Sequence, residues 1–149
     1  MGDFLKKSIS YYTRGKLYSD HCMYKKALED AKLALKFIEI QTRGGATITF
    51  GQTELERKKC HEMTVEMRFK CYAALAQNLI NLGEEEKGQR RLNNAIRISK
   101  EYNLIREKFD FFVLIGAEET QRGNLKSADT KFREAMSSLG NSSNNIYNI

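Results

Sequence analysis

The sequence predicts an all-helical protein of about six helices, paired as antiparallel hairpins in one stack. Its 149 residues contain no proline, where average usage of about 5% would supply several. Its β-branched residues are scattered instead of gathered into runs that would make strands. Apolar positions recur every three or four residues along nearly the whole chain, which is the period of a helix with one buried face. With 41% hydrophobic and 30% charged residues, the length suits a single domain over 1–139.

The first helix is read over about 3–19, where Phe4, Ile9, Tyr12 and Leu17 stand among polar positions. The second runs over about 24–40, with Ala27, Leu28, Ala31, Leu35 and Ile38 on one stripe. Asp20, His21 and Cys22 leave only a tight turn between them, so the two are antiparallel neighbours in a hairpin over about 3–42. Residues 43–52 hold three glycines and a small β-prone island, and read as a loop or flap. Thr53 followed by Glu56 has the capping-box spacing, and from there a helical pattern runs without a breaker to Leu82. At about 30 residues, or roughly 45 Å, that helix is long enough for its first half to project beyond the core or pack on a partner. Gly83 ends it, and Glu84 to Glu86 place negative charge where the next helix dipole favours it. This fourth helix passes Leu92, Ala95, Ile96 and Ile98, closing a hairpin over about 53–101. A fifth over 104–122 stops at Gly123, and a sixth over about 125–138 completes the hairpin 104–138. Residues 140–149, polar and asparagine-rich, read as a flexible tail.

An internal comparison ties the hairpins together. Tyr11 to Tyr18, Tyr72 to Leu79 and Phe112 to Glu119 each place an aromatic four residues before a Gly or Ala, namely Gly15, Ala76 and Gly116. Twelve residues beyond that small residue stand Ala27, Gly88 and Ala128; then come Ala31, Leu92 and Phe132, and finally Ala34, Ala95 and Ala135. Turn positions follow at Cys22, Gly83 and Gly123. Small residues at such spacing mark where two helices cross closely, and the aromatics fill gaps between hairpins. The pattern resembles the tetratricopeptide repeat over about 11–138. The resemblance implies a right-handed superhelix of hairpins, an α-solenoid, that acts as a non-catalytic interaction scaffold or adaptor or as a subunit of a larger complex. Copies 61 and 40 residues apart depart from the family's usual step; the longer interval carries an insertion, and the shorter resembles the long repeats of kinesin light chains and spindle-orientation adaptors, which implies a cytoplasmic, cytoskeleton-associated setting. Arg14 replaces the family's leucine, and Glu85 and Gly88 depart from it in the second copy, predicting a looser middle hairpin.

In such a stack the first helix of each hairpin faces a concave groove. Counting from the small residues, Tyr12, Lys16, Lys70, Gln77, Asn81, Asp110, Thr120 and Gln121 project into it. The mixed polar surface suits an extended peptide or partner helix: Gln77, Asn81 and Gln121 would bond its backbone and Lys16 and Lys70 would pair its acids, unless these are plain solvated positions. Chaperone carboxylate tails are argued against, since Asp110 stands where the family's clamp has a lysine. The fifth helix is apolar all round, and after one further helix no polar capping helix follows Leu139; docking on another subunit or a second copy is expected there, with Phe109 or Phe111 as anchor, unless the preceding long helix or the tail, through Ile146 and Tyr147, folds back and covers it.

The net charge is +6. Between Lys87 and Lys108 seven basic residues face two acids, and Arg90, Arg91, Arg97 and Lys100 form a candidate basic patch for nucleic acid or an anionic surface, the alternative function; the competing reading is a solvated helix face. His21 with Cys22 and Cys60 with His61 lack metal-ligand spacing, because adjacent helical side chains diverge by about 100°. An odd cysteine count argues against a disulfide framework and for reduced thiols inside a cell. No cofactor motif, nucleophile pattern or phosphate loop is present, so neither enzyme activity nor a cofactor is expected. No apolar run reaches the about 18 residues of a membrane span.

Overall fold

The computed structural model describes residues 3–44 and 53–147, the last eight of these by their backbone alone. Six helices account for nearly all of it: α1 (Asp3–Asp20), α2 (Tyr24–Arg43), α3 (Glu54–Asn81), α4 (Glu85–Glu101), α5 (Ile105–Gln121) and α6 (Leu125–Tyr147). No strand occurs among the described residues. The first five helices begin and end within three residues of the sequence reading. The sixth continues to Tyr147 where an end near Ser138 was expected. Nothing in 139–147 blocks the backbone ladder, since the stretch lacks proline and its one glycine only weakens a helix by about 1 kcal/mol. The expected loop lies outside the described residues from Gly45 onward.

The chain divides into two compact units, Met1–Ile98 and Ser99–Ile149. In the first, α1 packs on α2, α2 on α3 and α1 on α3. Leu5, Ser8 and Gly15 of α1 are buried at helical spacing, and so are Ala27, Ala31, Ala34 and Ile38 of α2. Leu5, Ala34, Ile38, Met67 and Cys71 make one cluster spanning all three helices. The Ser8 hydroxyl reaches that interior without an unmet donor, giving its hydrogen bond to the Ala34 carbonyl at 2.7 Å. Arg14 grips the buried Asp30 of α2 through Nε and Nη2, both at 2.8 Å. Its guanidinium also lies over the Tyr11 and Tyr18 rings, so packing and charge lock the same pair of helices. Thr53 caps α3 as its spacing predicts, accepting from the Glu56 amide at 3.1 Å. From Glu54 to Met63 only Cys60 is better than exposed; the buried face of α3 starts at Thr64.

In the second unit α5 packs on α6. Phe111, Phe112, Ile115, Gly116 and Glu119 face inward, and Ala128, Ala135 and Ser138 of α6 are buried. The Glu119 carboxylate accepts from Asn124 Nδ2 at 2.9 Å and from Arg122, clasping the turn between the helices.

The turns share one chemistry. Cys22, Gly83, Asn103 and Gly123 all have positive φ, between 57° and 83°. At each, the following amide returns to the carbonyl five residues earlier: Met23 to Tyr18, Glu84 to Leu79, Leu104 to Ser99 and Asn124 to Glu119, at 2.8–2.9 Å. This is the Schellman arrangement, in which a left-handed residue lets the chain reverse while satisfying the last helical carbonyls.

Candidate functional site

The small residues of the repeat sit where each hairpin is tightest. A Cβ on Gly15 would stand 2.9 Å from Cβ of Asp30 and 3.3 Å from the Ala27 carbonyl oxygen. One on Gly116 would stand 2.8 Å from the Phe132 ring. In the middle hairpin a Cβ on Gly88 would meet Ile80 Cγ1 at 2.7 Å and the Ala76 carbonyl oxygen at 3.2 Å. That hairpin is therefore close-packed, contrary to the looser one expected from its sequence. Glycine in place of alanine moves α4 toward α3 and does not leave a gap.

On the α1 and α3 helices the predicted groove residues divide by environment. Tyr12 packs against the core cluster, and burial pushes its phenol pKa up, with nearby Cys71, Glu66 and Asp20 adding to the shift. It is half structural. Lys16 is exposed. Lys70 already pairs with Glu66 at 3.0 Å, an i,i+4 contact of two half-exposed side chains that would have to open before a partner's acid could replace Glu66. Gln77 is half-buried. Asn81 is the informative member: its Oδ1 and Nδ2 are both shielded from solvent and both lack a hydrogen-bond partner, and the Oδ1 of neighbouring Asn78 is in the same condition. Asn78 spends its Nδ2 on the Ala74 carbonyl at 2.9 Å. Three shielded amide atoms without protein partners are costly to leave so; Asn78 is enclosed, but Asn81 is only half-buried, and a turn of its side chain would bring its amide to a peptide backbone that supplies both donor and acceptor. Asp110, Thr120 and Gln121 belong to the second unit and are exposed; the Thr120 hydroxyl donates to the Gly116 carbonyl at 2.8 Å.

The expected subunit anchor needs correction. Phe111 is 7% exposed, turned inward beside Phe112, and Phe109 is half-buried. The helix phase explains it, because 111, 112, 115 and 119 share one face and the apolar residue left outside is Leu114, 43% exposed. The signal for this was present in the spacing of Gly116, which marks the packed face.

The four residues of the predicted basic patch all lie on α4 and differ in their surroundings. Arg90 and Arg91 border a cleft of about 670 Å³ in the first unit, together with Lys32, Glu84, Lys87, Asn93, Asn94, Leu75 and Leu79. Arg97 is exposed but outside that lining, and Lys100 belongs to the second unit. Lys108, also there, has its pKa lowered by burial and by the neighbouring Lys100. Lys32 comes from α2, 55 residues before Lys87, and only the packing of α2 and α4 on α3 reveals it. Tyr72 organises one wall. Its hydroxyl donates to Glu39 of α2 at 3.1 Å, and its ring lies under the Arg91 guanidinium of α4, 5.9 Å from the centroid.

Cys71 is buried and its thiol is pushed up to about 12, chiefly by burial, so it carries no nucleophile at neutral pH. His21 Nδ1 lies 2.9 Å from the Leu17 carbonyl in the first turn. Among the described residues no three His, Cys, Asp or Glu side chains come together as a metal site would require. No described helix is long and apolar enough to cross a membrane. Compared with known proteins, the chain matches no family model, no curated protein and no solved structure.

Proposed function

We propose that the chain is a tetratricopeptide-like interaction scaffold, non-catalytic, that holds an extended peptide or partner helix on the face of its α1 and α3 helices. The observation that carries this reading is the Asn81 carboxamide, half-buried on the predicted groove helix with neither its Oδ1 nor its Nδ2 partnered within the protein. Such atoms are rare in a fold, and a ligand's backbone is a partner that would satisfy them. The repeat assignment is supported by the tight crossings at Gly15, Gly88 and Gly116 and by the three Schellman turns in matching register. The superhelical stacking belongs to the same proposal, as do the cytoplasmic setting and a role as complex subunit. The nucleic-acid reading is the weaker one, because two of its four cations, Arg90 and Arg91, border a cleft that Leu75 and Leu79 also line, and a phosphate backbone has no use for an apolar surface.

Selection of peptides from a displayed random library on the purified chain tests the proposal. Binders are expected to weaken by about tenfold against Asn81→Ala, the size of about one buried hydrogen bond to a peptide, with the helical circular dichroism unchanged. Binders indifferent to both Asn81→Ala and Lys16→Glu would overturn it.

A further inference from the structure

The cleft between α2 and α4 has a character of its own. Four cations, Lys32, Lys87, Arg90 and Arg91, stand around it against a single carboxylate, Glu84. Its floor is Leu75 and Leu79, and its volume of about 670 Å³ falls within the roughly 300–1,000 Å³ of ligand sites. We infer that this cleft docks an acidic segment of a partner protein, one that seats an apolar side chain on the two leucines and sets carboxylates against the surrounding cations.

Three observations point to that occupant. The charge is available: Lys32 makes no ion pair among the described residues, and the pairs Lys87–Glu84 (3.3 Å) and Arg90–Glu86 (3.4 Å) are between well-exposed side chains, which contribute little and exchange readily for a better acceptor. Arg91 is already oriented. Its guanidinium rests on the Tyr72 ring, and Tyr72 is fixed in turn by its bond to Glu39, so a carboxylate meets a planar donor fork held in place from two helices. The floor is apolar, which gives a peptide side chain a place and gives a phosphate backbone none. The cleft is distinct from the Asn81 face, and either proposal stands without the other.

Fluorescence anisotropy on the full chain tests it, using a set of labelled peptides of roughly twelve residues that carry several glutamates and one leucine at varied spacing. At least one peptide is expected to bind, and its affinity should fall more than about tenfold in the double variant Lys32→Glu, Arg90→Glu, both exposed positions that leave the fold intact by circular dichroism. Replacing the peptide leucine by serine should weaken it further, while Lys58→Glu and Asn81→Ala should change it by less than about twofold. The inference is overturned if no peptide binds, if Lys58→Glu weakens binding as much as the double reversal, or if a single-stranded oligonucleotide of equal charge displaces the peptide and binds more tightly. Arg91→Gln gives an independent reading: loss of affinity supports the oriented guanidinium, and an unchanged affinity removes it.

Discussion

Cys22 does the work that Gly83 and Gly123 do in the later turns, yet it carries a Cβ. At φ 59° that Cβ crowds the neighbouring backbone, a conformation L-residues adopt at a cost of roughly 1–2 kcal/mol and glycine adopts without one. The side chain is exposed, so little packing is lost with it. Cys22→Gly is expected to stabilise the chain by about 1 kcal/mol, since part of the gain is offset by the freer unfolded glycine. A urea midpoint that moves upward with unchanged slope would check this, and a midpoint that falls would refute it. Cys71 behaves in the opposite sense to a reactive thiol. Its folded pKa of about 12 stands above the ordinary 9.0, so the folded state holds the proton that the unfolded state releases. Stability from this group is complete below about pH 9 and declines as pH rises toward 12, by at most about 1.4 kcal/mol per pH unit for one proton. Tyr12 and Tyr72, also raised by burial, extend the loss above about pH 10. Unfolding midpoints taken from pH 8 upward should fall, and Cys71→Ala should move the onset to higher pH. At neutral pH a thiol reagent should label Cys22 first and Cys71 only after denaturation.

Between helices, the three tight crossings differ in what can yield, and that ranks their substitutions. At Gly15 a new Cβ meets Cβ of Asp30, an atom that moves only with its backbone and is tied to Arg14. At Gly116 it meets only the Phe132 ring, which is half-buried, whereas at Gly88 it meets Cγ1 of Ile80, a β-branched side chain stiff in its helix, with the Ala76 carbonyl oxygen and the Ile80 amide nitrogen close behind. Gly15→Ala and Gly88→Ala should therefore be the more damaging, by about 1–3 kcal/mol as overpacking costs go, and Gly116→Ala the mildest. Thermal melts of the three variants would order them; Gly116→Ala as the worst would show that the Phe132 ring cannot move aside. These elements were legible in the sequence because their signals are local. A cap such as Thr53, a turn glycine such as Gly83 and the period of Ala27, Ala31, Ala34 and Ile38 act within a few residues of themselves. The middle hairpin was misread for a local reason too: Gly88 looks like lost packing in a helix considered alone, and becomes close packing only once α3 lies against it. Phe111 was placed outward because five consecutive apolar residues, Phe111 to Ile115, hide the phase of α5.

At the scale of the whole chain, local signals stop being enough. Lys32 joins Arg90 and Arg91 only through the packing of α2, α3 and α4, and the division at Ile98 falls inside α4, where no glycine, proline or polar linker announces it. The candidate groove residues of α1 and α3 follow from register alone, whereas the unpartnered state of Asn81 depends on what shields it and has no signature along the chain. The division itself has an energetic consequence. Among the described residues sixteen apolar side chains are buried in the first unit and five in the second, Phe111, Phe112, Ile115, Ala128 and Ala135, a threefold difference for a twofold difference in length. Two of those five are alanines, so the second unit leans on three large side chains, of which Phe112 is fully enclosed. Opening free energies should follow buried apolar area, which places α5 and α6 below α1 to α3. Native-state hydrogen exchange in low denaturant should therefore show the amides of α5 and α6 exchanging through an opening that leaves α1, α2 and the second half of α3 protected. Phe112→Ala, which removes about 3–5 kcal/mol of packing, should erase protection in α5 and α6 alone. If the same substitution instead lowers protection in all six helices together, the two units open as one, and the interior of the first depends on the phenyl ring of the second.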